Sequence, residues 1–219
     1  MEYIPDKYKI SRKETNKNRV IEYALKNFTE NGIESSTISQ IAKEVGLAER
    51  SVYRYFKNKE ELVLETTFLF WEQIMEYVTS KCPQDKMEKL NGIEQIEYVL
   101  NQYANMYFLK RSELIFIHEA ESYLSRSGKV FLISNKYPAP YEESNGQLAM
   151  AIKKGIEDGS VNPDLDIPII YSNTFDSTLG LIQKFAISTK EGDTDFSTQR
   201  KRLISFCNTL VGAYRKNSY

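Results

Sequence analysis

The sequence is poor in cysteine, proline and glycine, and it has no long hydrophobic run. Its 219 residues include 2 Cys, 6 Pro and 10 Gly, a composition that excludes collagen-like and low-complexity chains. Cys82 and Cys207 lie far apart without a metal-type spacing, so we expect two free thiols in a reducing compartment. Because neither a run of about 18 apolar residues nor a secretory signal is visible, the sequence predicts a cytoplasmic protein with no membrane partner.

Histidine and catalytic motifs are equally scarce. The chain has one histidine, His118, and it shows no GxSxG, P-loop or strand-associated GxGxxG pattern. The common hydrolase and nucleotide-binding classes are therefore disfavoured. We predict no enzymatic activity, no cofactor and no metal site. A helical enzyme that uses carboxylate chemistry stays open as an alternative.

Charge is nearly balanced over the whole chain but unevenly distributed along it. The formal net charge is -1, from 29 Lys and Arg against 30 Asp and Glu. Residues 1–60 hold 12 of the basic residues against 9 acidic ones, and the remaining residues hold 17 against 21. A mildly basic head therefore precedes an acidic body, although an excess of three positive charges does not by itself establish nucleic-acid binding.

Apolar residues recur at helical spacing along most of the chain, and no hairpin pattern competes with them. The first helix is predicted to end at Asn31 and Gly32. A second is predicted to begin after Thr37, where Gln40 completes a capping-box pattern, and to end at Gly46. The other helices are predicted over residues 49–56, 58–81, 92–109, 112–124, 142–158, 167–188 and 197–214, with a short helix and a loop in 125–141. The sequence therefore predicts an all-α fold.

The second and third helices form a helix-turn-helix pattern around Gly46. A glycine allows the sharp reversal, and apolar residues such as Ile41 and Val52 would hold the two helices at a fixed angle. Arg50 and Arg54 fall on the side of the third helix that lies opposite Val52. A helix with one apolar and one cationic face can lie in the major groove of DNA, where arginine pairs with guanine edges.

The block from Thr37 to Leu62 resembles the DNA-binding motif of the tetracycline-repressor-type (TetR/AcrR) transcriptional regulators. Its most characteristic part is the string Val-Tyr-Arg-Tyr-Phe-Lys-Asn-Lys at positions 52–59, followed by an acidic pair. The resemblance covers about residues 15–65. It implies an N-terminal arm and three-helix helix-turn-helix domain over residues 1–60. It also implies a larger C-terminal helical ligand-binding and dimerisation domain over residues 61–219.

The resemblance also assigns DNA contacts by position. Arg50 and Ser51 are expected at base edges or in the groove, and Lys59 is expected on a phosphate at the start of the fourth helix. Ala48 stands where the family usually has serine, and Glu49 would repel phosphate unless it accepts from a cytosine amino group. The predicted DNA-binding residues are Thr37, Arg50, Ser51, Tyr53, Arg54, Tyr55 and Lys59.

Several of these assignments have a structural alternative. The tyrosines could be half-buried core residues, and Arg54 could belong to a solvated face. A basic N-terminal run could be an arm that contacts DNA or simply a disordered tail. This run comprises Lys7, Lys9, Arg12, Lys13, Lys17 and Arg19.

The body is rich in aromatic residues, which could line a small-molecule cavity between helices or fill the core. His118 is interpreted as a structural histidine, with a polar anchor in a ligand pocket as the alternative. The resemblance implies a pocket in this region. The predicted ligand-binding residues are Tyr103, Tyr107, Phe108, Phe116, His118, Phe131 and Phe175.

The third helix of each of two protomers must contact one of two DNA half-sites that lie about one helical turn apart, so a homodimer is expected. The interface is predicted on the helices over 142–158 and 167–188, although these residues could instead fill the protomer core. The interface residues are Ala149, Ile152, Ile156, Phe175, Leu179, Ile182 and Phe185.

We predict a ligand-responsive repressor that a small apolar or aromatic effector releases from a palindromic double-stranded DNA operator. An activator of the same architecture, a helical enzyme and an architectural DNA-binding protein are the alternatives.

Overall fold

The computed structural model describes residues 12–190, 192 and 195–216, and no strand is present among them. The all-α prediction is confirmed. Lys7 and Lys9 of the basic N-terminal run lie outside the described residues. The helices are α1 Arg12–Asn31, α2 Ile38–Glu44, α3 Glu49–Val52, α4 Lys59–Lys81, α5 Gln84–Met87, α6 Gly92–Leu109, α7 Arg111–Ser125, α8 Phe131–Ser134, α9 Gln147–Glu157, α10 Ile167–Ser188 and α11 Ser197–Tyr214.

Most helix bounds follow the sequence signals, and α6, α10 and α11 have the predicted limits. The third helix was predicted over 49–56 but ends at Val52. The Tyr55 and Phe56 amides both donate to the Val52 carbonyl, at 2.9 and 3.0 Å, so the helical pattern tightens into a turn that carries Phe56 into the core. Helix α9 begins at Gln147 rather than at 142. The Ser144 hydroxyl accepts the Gly146 N–H at 3.2 Å, which holds the preceding residues in a turn.

The chain divides into two compact units. The first contains the described residues up to Phe70 together with Glu119–Ile133. Its core is built from the inner faces of α1 and α2, the end of α3 and the beginning of α4. The buried residues there include Val20, Ala24, Phe28, Ile41, Ala42, Val52, Phe56, Leu62 and Val63.

The loop after α1 is anchored within this first unit by α7. The Glu119 carboxylate accepts the Ile33 N–H at 3.2 Å, and Arg126 pairs with Glu34 at 2.9 Å. Lys129 pairs with Glu60 of α4 at 2.6 Å. The C-terminal part of α7 and the residues after it therefore belong to the packing of the first unit.

The second unit contains Trp71–His118 and the described residues from Ser134 onward. Helix α6 is its centre and packs against α9, α10 and α11. Gly92 and Gly155 lie at the crossing of α6 and α9, where a Cβ atom added to Gly92 would be 2.0 Å from the Gly155 Cα. The absence of side chains at this crossing lets the two backbones touch.

Cys82 and Cys207 are buried free thiols in this unit, and burial raises the pKa of each to about 11. No described helix is both long and apolar enough to cross a bilayer.

Candidate DNA-reading surface and effector cavity

Helix α2 begins with the predicted capping box. The Thr37 hydroxyl oxygen accepts the Gln40 N–H at 3.2 Å, and the Gln40 side chain accepts the Thr37 N–H at 2.9 Å. Two backbone N–H groups that the helix itself cannot satisfy are therefore paired. Thr37 remains exposed, so it stands at a helix N-terminus that is open to a phosphate.

The turn between α2 and α3 depends on Gly46. Its φ is +71°, in the left-handed region that glycine enters without strain. The Leu47 N–H donates to the Ala42 carbonyl at 2.9 Å, and Arg19 of α1 donates to the Val45 carbonyl at 3.0 Å. The turn is therefore fixed both by its own backbone and by α1.

Helix α3 and the turn after it have an apolar side and a polar side. Val52 is fully buried, whereas Arg50, Tyr53 and Arg54 are exposed. Arg54 donates to the Ser51 hydroxyl at 3.3 Å, which orients the guanidinium along the outer surface. The exposed groups have the donor chemistry that phosphates and base edges require.

The start of α3 is weakly capped, as the sequence implied. Ala48 occupies the N-cap position and makes no side-chain hydrogen bond to the helix. Glu49 is exposed in the first turn. The exposed Glu49 carboxylate repels phosphate at this point and can accept from a donor on a base edge.

Lys59 lies in a more structural setting than the other predicted DNA contacts. Its ammonium group donates to the Glu34 carbonyl at 3.4 Å and lies 5.8 Å from the ring centroid of Tyr123. Burial lowers the pKa of Lys59, and the nearby Glu34 charge opposes this shift. The same lysine thus helps hold α4 against α7.

A polar cleft of about 720 Å³ is lined by Lys13, Asn16, Arg54 and Tyr55. Helix α1 and the turn after α3 therefore share one polar surface. Tyr55 is half-buried, with its ring edge-on to Phe56 at 6.3 Å. Sequence reasoning missed Asn16, whose position three residues after Lys13 on one helix face was the available signal.

The second unit contains two adjoining cavities. The larger, of about 280 Å³, is lined among others by Lys136, Tyr137, Ser144 and Tyr171. The smaller, of about 20 Å³, is an apolar slot between α4, α6 and α10. Both cavities share Met75, Tyr103 and Phe175 in their walls.

Aromatic rings form the boundary of these cavities. Trp71 stacks on Tyr137 with ring centroids 5.8 Å apart, and it lies 5.6 Å from the Phe175 ring. Phe175 also packs edge-on against Tyr103 at 6.2 Å. Sequence reasoning missed Trp71 and Met75, although both lie on the inner stripe of the fourth helix.

The predicted ligand-binding residues do not all meet. Tyr103 and Phe175 line the cavities, while Tyr107 and Phe116 are buried in the packing. The Tyr107 hydroxyl is paired with the Thr189 hydroxyl at 2.8 Å. The others lie elsewhere: Phe108 packs on Phe196 and Arg200, whereas His118 and Phe131 are exposed.

Most predicted interface residues lie inside the protomer. Ala149, Ile152 and Ile182 are fully buried and Phe185 is 3% exposed, because α9 and the inner side of α10 pack around α6. Leu179 and Phe175 line the slot, and Ile156 is exposed. Large exposed apolar side chains on the outer sides of α10 and α11 are Ile169, Ile187 and Ile204.

Residues 20–66 match the profile of the family described as "Bacterial regulatory proteins, tetR family". The chain is 23% identical over 175 residues to the HTH-type transcriptional repressor KstR2 of Mycolicibacterium smegmatis, covering 77% of this chain and 78% of the relative.

Two solved structures extend the likeness to the fold. The regulator FadR from Bacillus subtilis in complex with stearoyl-CoA aligns with a TM-score of 0.59 at 20% identity, over 92% of this chain and 99% of its own. AibR in complex with isovaleryl coenzyme A and operator DNA aligns with a TM-score of 0.56 at 17% identity, over 87% of this chain and 97% of its own.

Proposed function

Because the chain belongs to the tetR family of bacterial regulatory proteins, we propose that it is a ligand-responsive repressor that binds a palindromic operator. The observation that carries this proposal is the helix-turn-helix itself, with a capped α2, a left-handed glycine turn and solvent-facing donors on α3 and in the turn after it. The protein would act in the cytoplasm, where its operator DNA lies, and would bind its effector without converting it.

Within the operator complex, Arg50 is proposed to contact base edges, because it is exposed on the side of α3 opposite Val52. Tyr53 and Tyr55 would donate their hydroxyl groups to phosphates. Lys13 and Asn16 would extend this backbone contact, since they line the same polar cleft as Tyr55. Phosphate contacts of this kind set the register of the protein, whereas base contacts select the sequence.

The repressor acts as a homodimer, because each protomer supplies a single reading helix and the two half-sites of a palindrome require two. We place the interface on the outer sides of α10 and α11. Ile187 and Ile204 are each 47% exposed there, and a second copy would remove both from water.

The effector is proposed to bind in the larger cavity of the second unit. Its volume of about 280 Å³ is near the lower end of small-molecule sites, and its inner wall is aromatic. The stearoyl-CoA bound by FadR and the isovaleryl coenzyme A bound by AibR support an effector with an apolar acyl portion. Binding weakens DNA affinity only if the effector prefers a conformer unable to span both half-sites.

Fluorescence anisotropy with DNA from upstream of the gene tests the repressor function. At about 150 mM salt the wild type should bind this DNA about a thousandfold more tightly than scrambled DNA of equal length. Arg50→Ala should reduce the preference for specific bases, and Lys13→Ala should weaken binding to all sequences and lower its salt dependence.

Lys26→Ala is the matched control, because Lys26 is an exposed cation of α1 that pairs with Glu30 and does not line the cleft. It should leave DNA binding unchanged. Equal wild-type affinity for upstream and scrambled DNA would contradict the proposed function.

A further inference from the structure

Helix α3 begins with an acidic residue, Glu49, on a surface that is otherwise basic. Between Val45 and Lys57 it is the only acidic residue, and the same stretch contains Arg50 and Arg54. Glu49 is exposed together with these three cations. A carboxylate among them lowers the affinity for the DNA backbone, because like charges repel at short distance. Glu49 therefore weakens DNA binding unless it contacts a group that donates to it.

Most other glutamates of the first unit are engaged within the protein. Ion pairs or hydrogen bonds join Glu30 to Lys26, Glu34 to Arg126, Glu60 to Lys129, Glu65 to Lys17, Glu61 to the Lys57 N–H and Glu119 to the Ile33 N–H. Among the residues that the structure describes, none makes such a contact with the Glu49 carboxylate. A carboxylate in the first turn of α3 does interact favourably with the helix N-terminus, but that interaction is independent of the DNA sequence.

The backbone of Glu49 is held in place by the fold of the first unit. Its carbonyl accepts the Tyr53 N–H at 3.1 Å, and Val52 of the same helix is fully buried. In a helix-turn-helix, the N-terminal residues of the second helix contact base edges in the major groove. Glu49 and Arg50 are the first two residues of α3, so both are placed to contact bases.

The chemistry of a carboxylate limits the bases that Glu49 can contact. An ionised carboxylate accepts hydrogen bonds and donates none. In the major groove, guanine presents the acceptors N7 and O6 and thymine presents the acceptor O4, so both bases repel it. Adenine presents its amino group beside the acceptor N7, whereas cytosine presents its 4-amino group alone. Cytosine is therefore the base that suits a carboxylate best.

We propose that Glu49 is a specificity-determining residue whose carboxylate accepts the 4-amino group of one cytosine in each operator half-site. Where that cytosine is absent, the same carboxylate meets only acceptors and phosphates and weakens binding. Specificity then comes from repulsion of the wrong sequences as well as from attraction to the operator. This assignment rests on the proposed function and names one base of the operator.

The test begins with selection of binding sites from a random double-stranded DNA library by the full-length protein. The wild type should select half-sites with a cytosine at one position where Glu49→Ala has no preference, and the preferences at the other positions should be kept. Glu49→Gln should shift the preference at that position toward adenine, because an amide can pair with both N6 and N7. Glu22→Ala is the matched control, since Glu22 is an exposed glutamate of α1, and it should select the wild-type sites.

Fluorescence anisotropy then measures the contact with the amino group directly. In the selected operator, the cytosine of one half-site is replaced with 2-pyrimidinone, which lacks the 4-amino group. The wild type should bind this duplex about tenfold more weakly than the unmodified one, whereas Glu49→Ala should bind the two equally. Glu49→Ala should also bind scrambled DNA about twofold to fivefold more tightly than the wild type at low salt, and this gain should shrink as salt screens the charge.

The cytosine contact is refuted if Glu49→Ala selects the same sites as the wild type, or if 2-pyrimidinone weakens binding of both proteins equally. A purely structural role of Glu49 would give that result together with a lower urea midpoint of Glu49→Ala in circular dichroism. Failure of the repressor function is a different outcome, in which the wild type itself selects no sequence from the library, and the cytosine contact would then fail with it.

Discussion

At the crossing of α6 and α9, we predict that alanine substitution of Gly92 lowers the free energy of unfolding more than alanine substitution of Gly155. A Cβ on Gly92 would meet only backbone, 2.0 Å from the Gly155 Cα and 2.8 Å from the Lys154 carbonyl carbon. A Cβ on Gly155 would meet the Val161 side chain, with Cγ2 at 2.4 Å and Cβ at 3.2 Å. One clash is therefore with the partner helix and the other with a removable methyl group.

The magnitudes follow from these distances. Carbon atoms pack at about 3.5–4.0 Å, so Gly92→Ala must separate the two backbones by about 1.5 Å. This would draw the buried Leu148 and Ile152 of α9 away from the core, and we expect a loss of about 3 kcal/mol or more. Gly155→Ala also gains about 0.5–1 kcal/mol of helix propensity, so its net loss should be about 1–2 kcal/mol.

Val161→Ala discriminates between the two clashes, because it removes the methyl group that a Cβ on Gly155 would strike. The double variant Gly155→Ala with Val161→Ala should be more stable than the sum of its single effects by about 1–2 kcal/mol. Gly92→Ala should show no such coupling to Val161→Ala, since its clash is with backbone.

Urea unfolding followed by Trp71 fluorescence measures these free energies, because Trp71 belongs to the same unit as the crossing. Wild-type stability of Gly92→Ala would refute the close approach of α6 and α9. Equal rescue of both alanine variants by Val161→Ala would refute the assignment of the two clashes.

Three further predictions concern the turn, the α6 cap and the dimer. Gly46→Val should destabilise the first unit by about 1–2 kcal/mol and weaken operator binding in a gel-shift assay, while Gly46→Asn should lose less, because asparagine tolerates positive φ. At the start of α6, the Asp158 carboxylate accepts the Gly92 N–H at 2.8 Å. Burial raises the pKa of Asp158, but the hydrogen bonds from Ser160 and Gly92 lower it by more, so the pKa lies below its usual value. Its stabilisation is therefore present above the unfolded value near pH 4 and lost as the pH falls through the lower folded value, so the urea midpoints of wild type and Asp158→Asn should converge in acid. Ile187→Glu should yield monomers in light scattering, whereas Ile156→Glu should leave the dimer intact, because Ile156 lies on α9; its exposure of 42% is close to the 47% of Ile187. The reverse result would place the interface on α9.

Local features of the sequence determined the helical fold and the helix-turn-helix. The capping box at Thr37 and Gln40 and the left-handed turn at Gly46 act through backbone groups a few residues away. Such signals operate wherever the segment lies in the molecule, and the string at 52–59 was specific enough to indicate the family. The end of α3 at Val52 was missed, because burial of Phe56 is a tertiary effect.

Tertiary structure alone decided what each apolar face packs against. Helical periodicity marks Ile152, Leu179 and Ile182 as members of apolar stripes, but it is the same for a core, a cavity wall and a dimer interface. The structure assigns Ile152 to the core and Leu179 to the slot. It also brings Trp71 against Tyr137 across a long sequence separation, a contact that depends on how the helices pack and has no local signature.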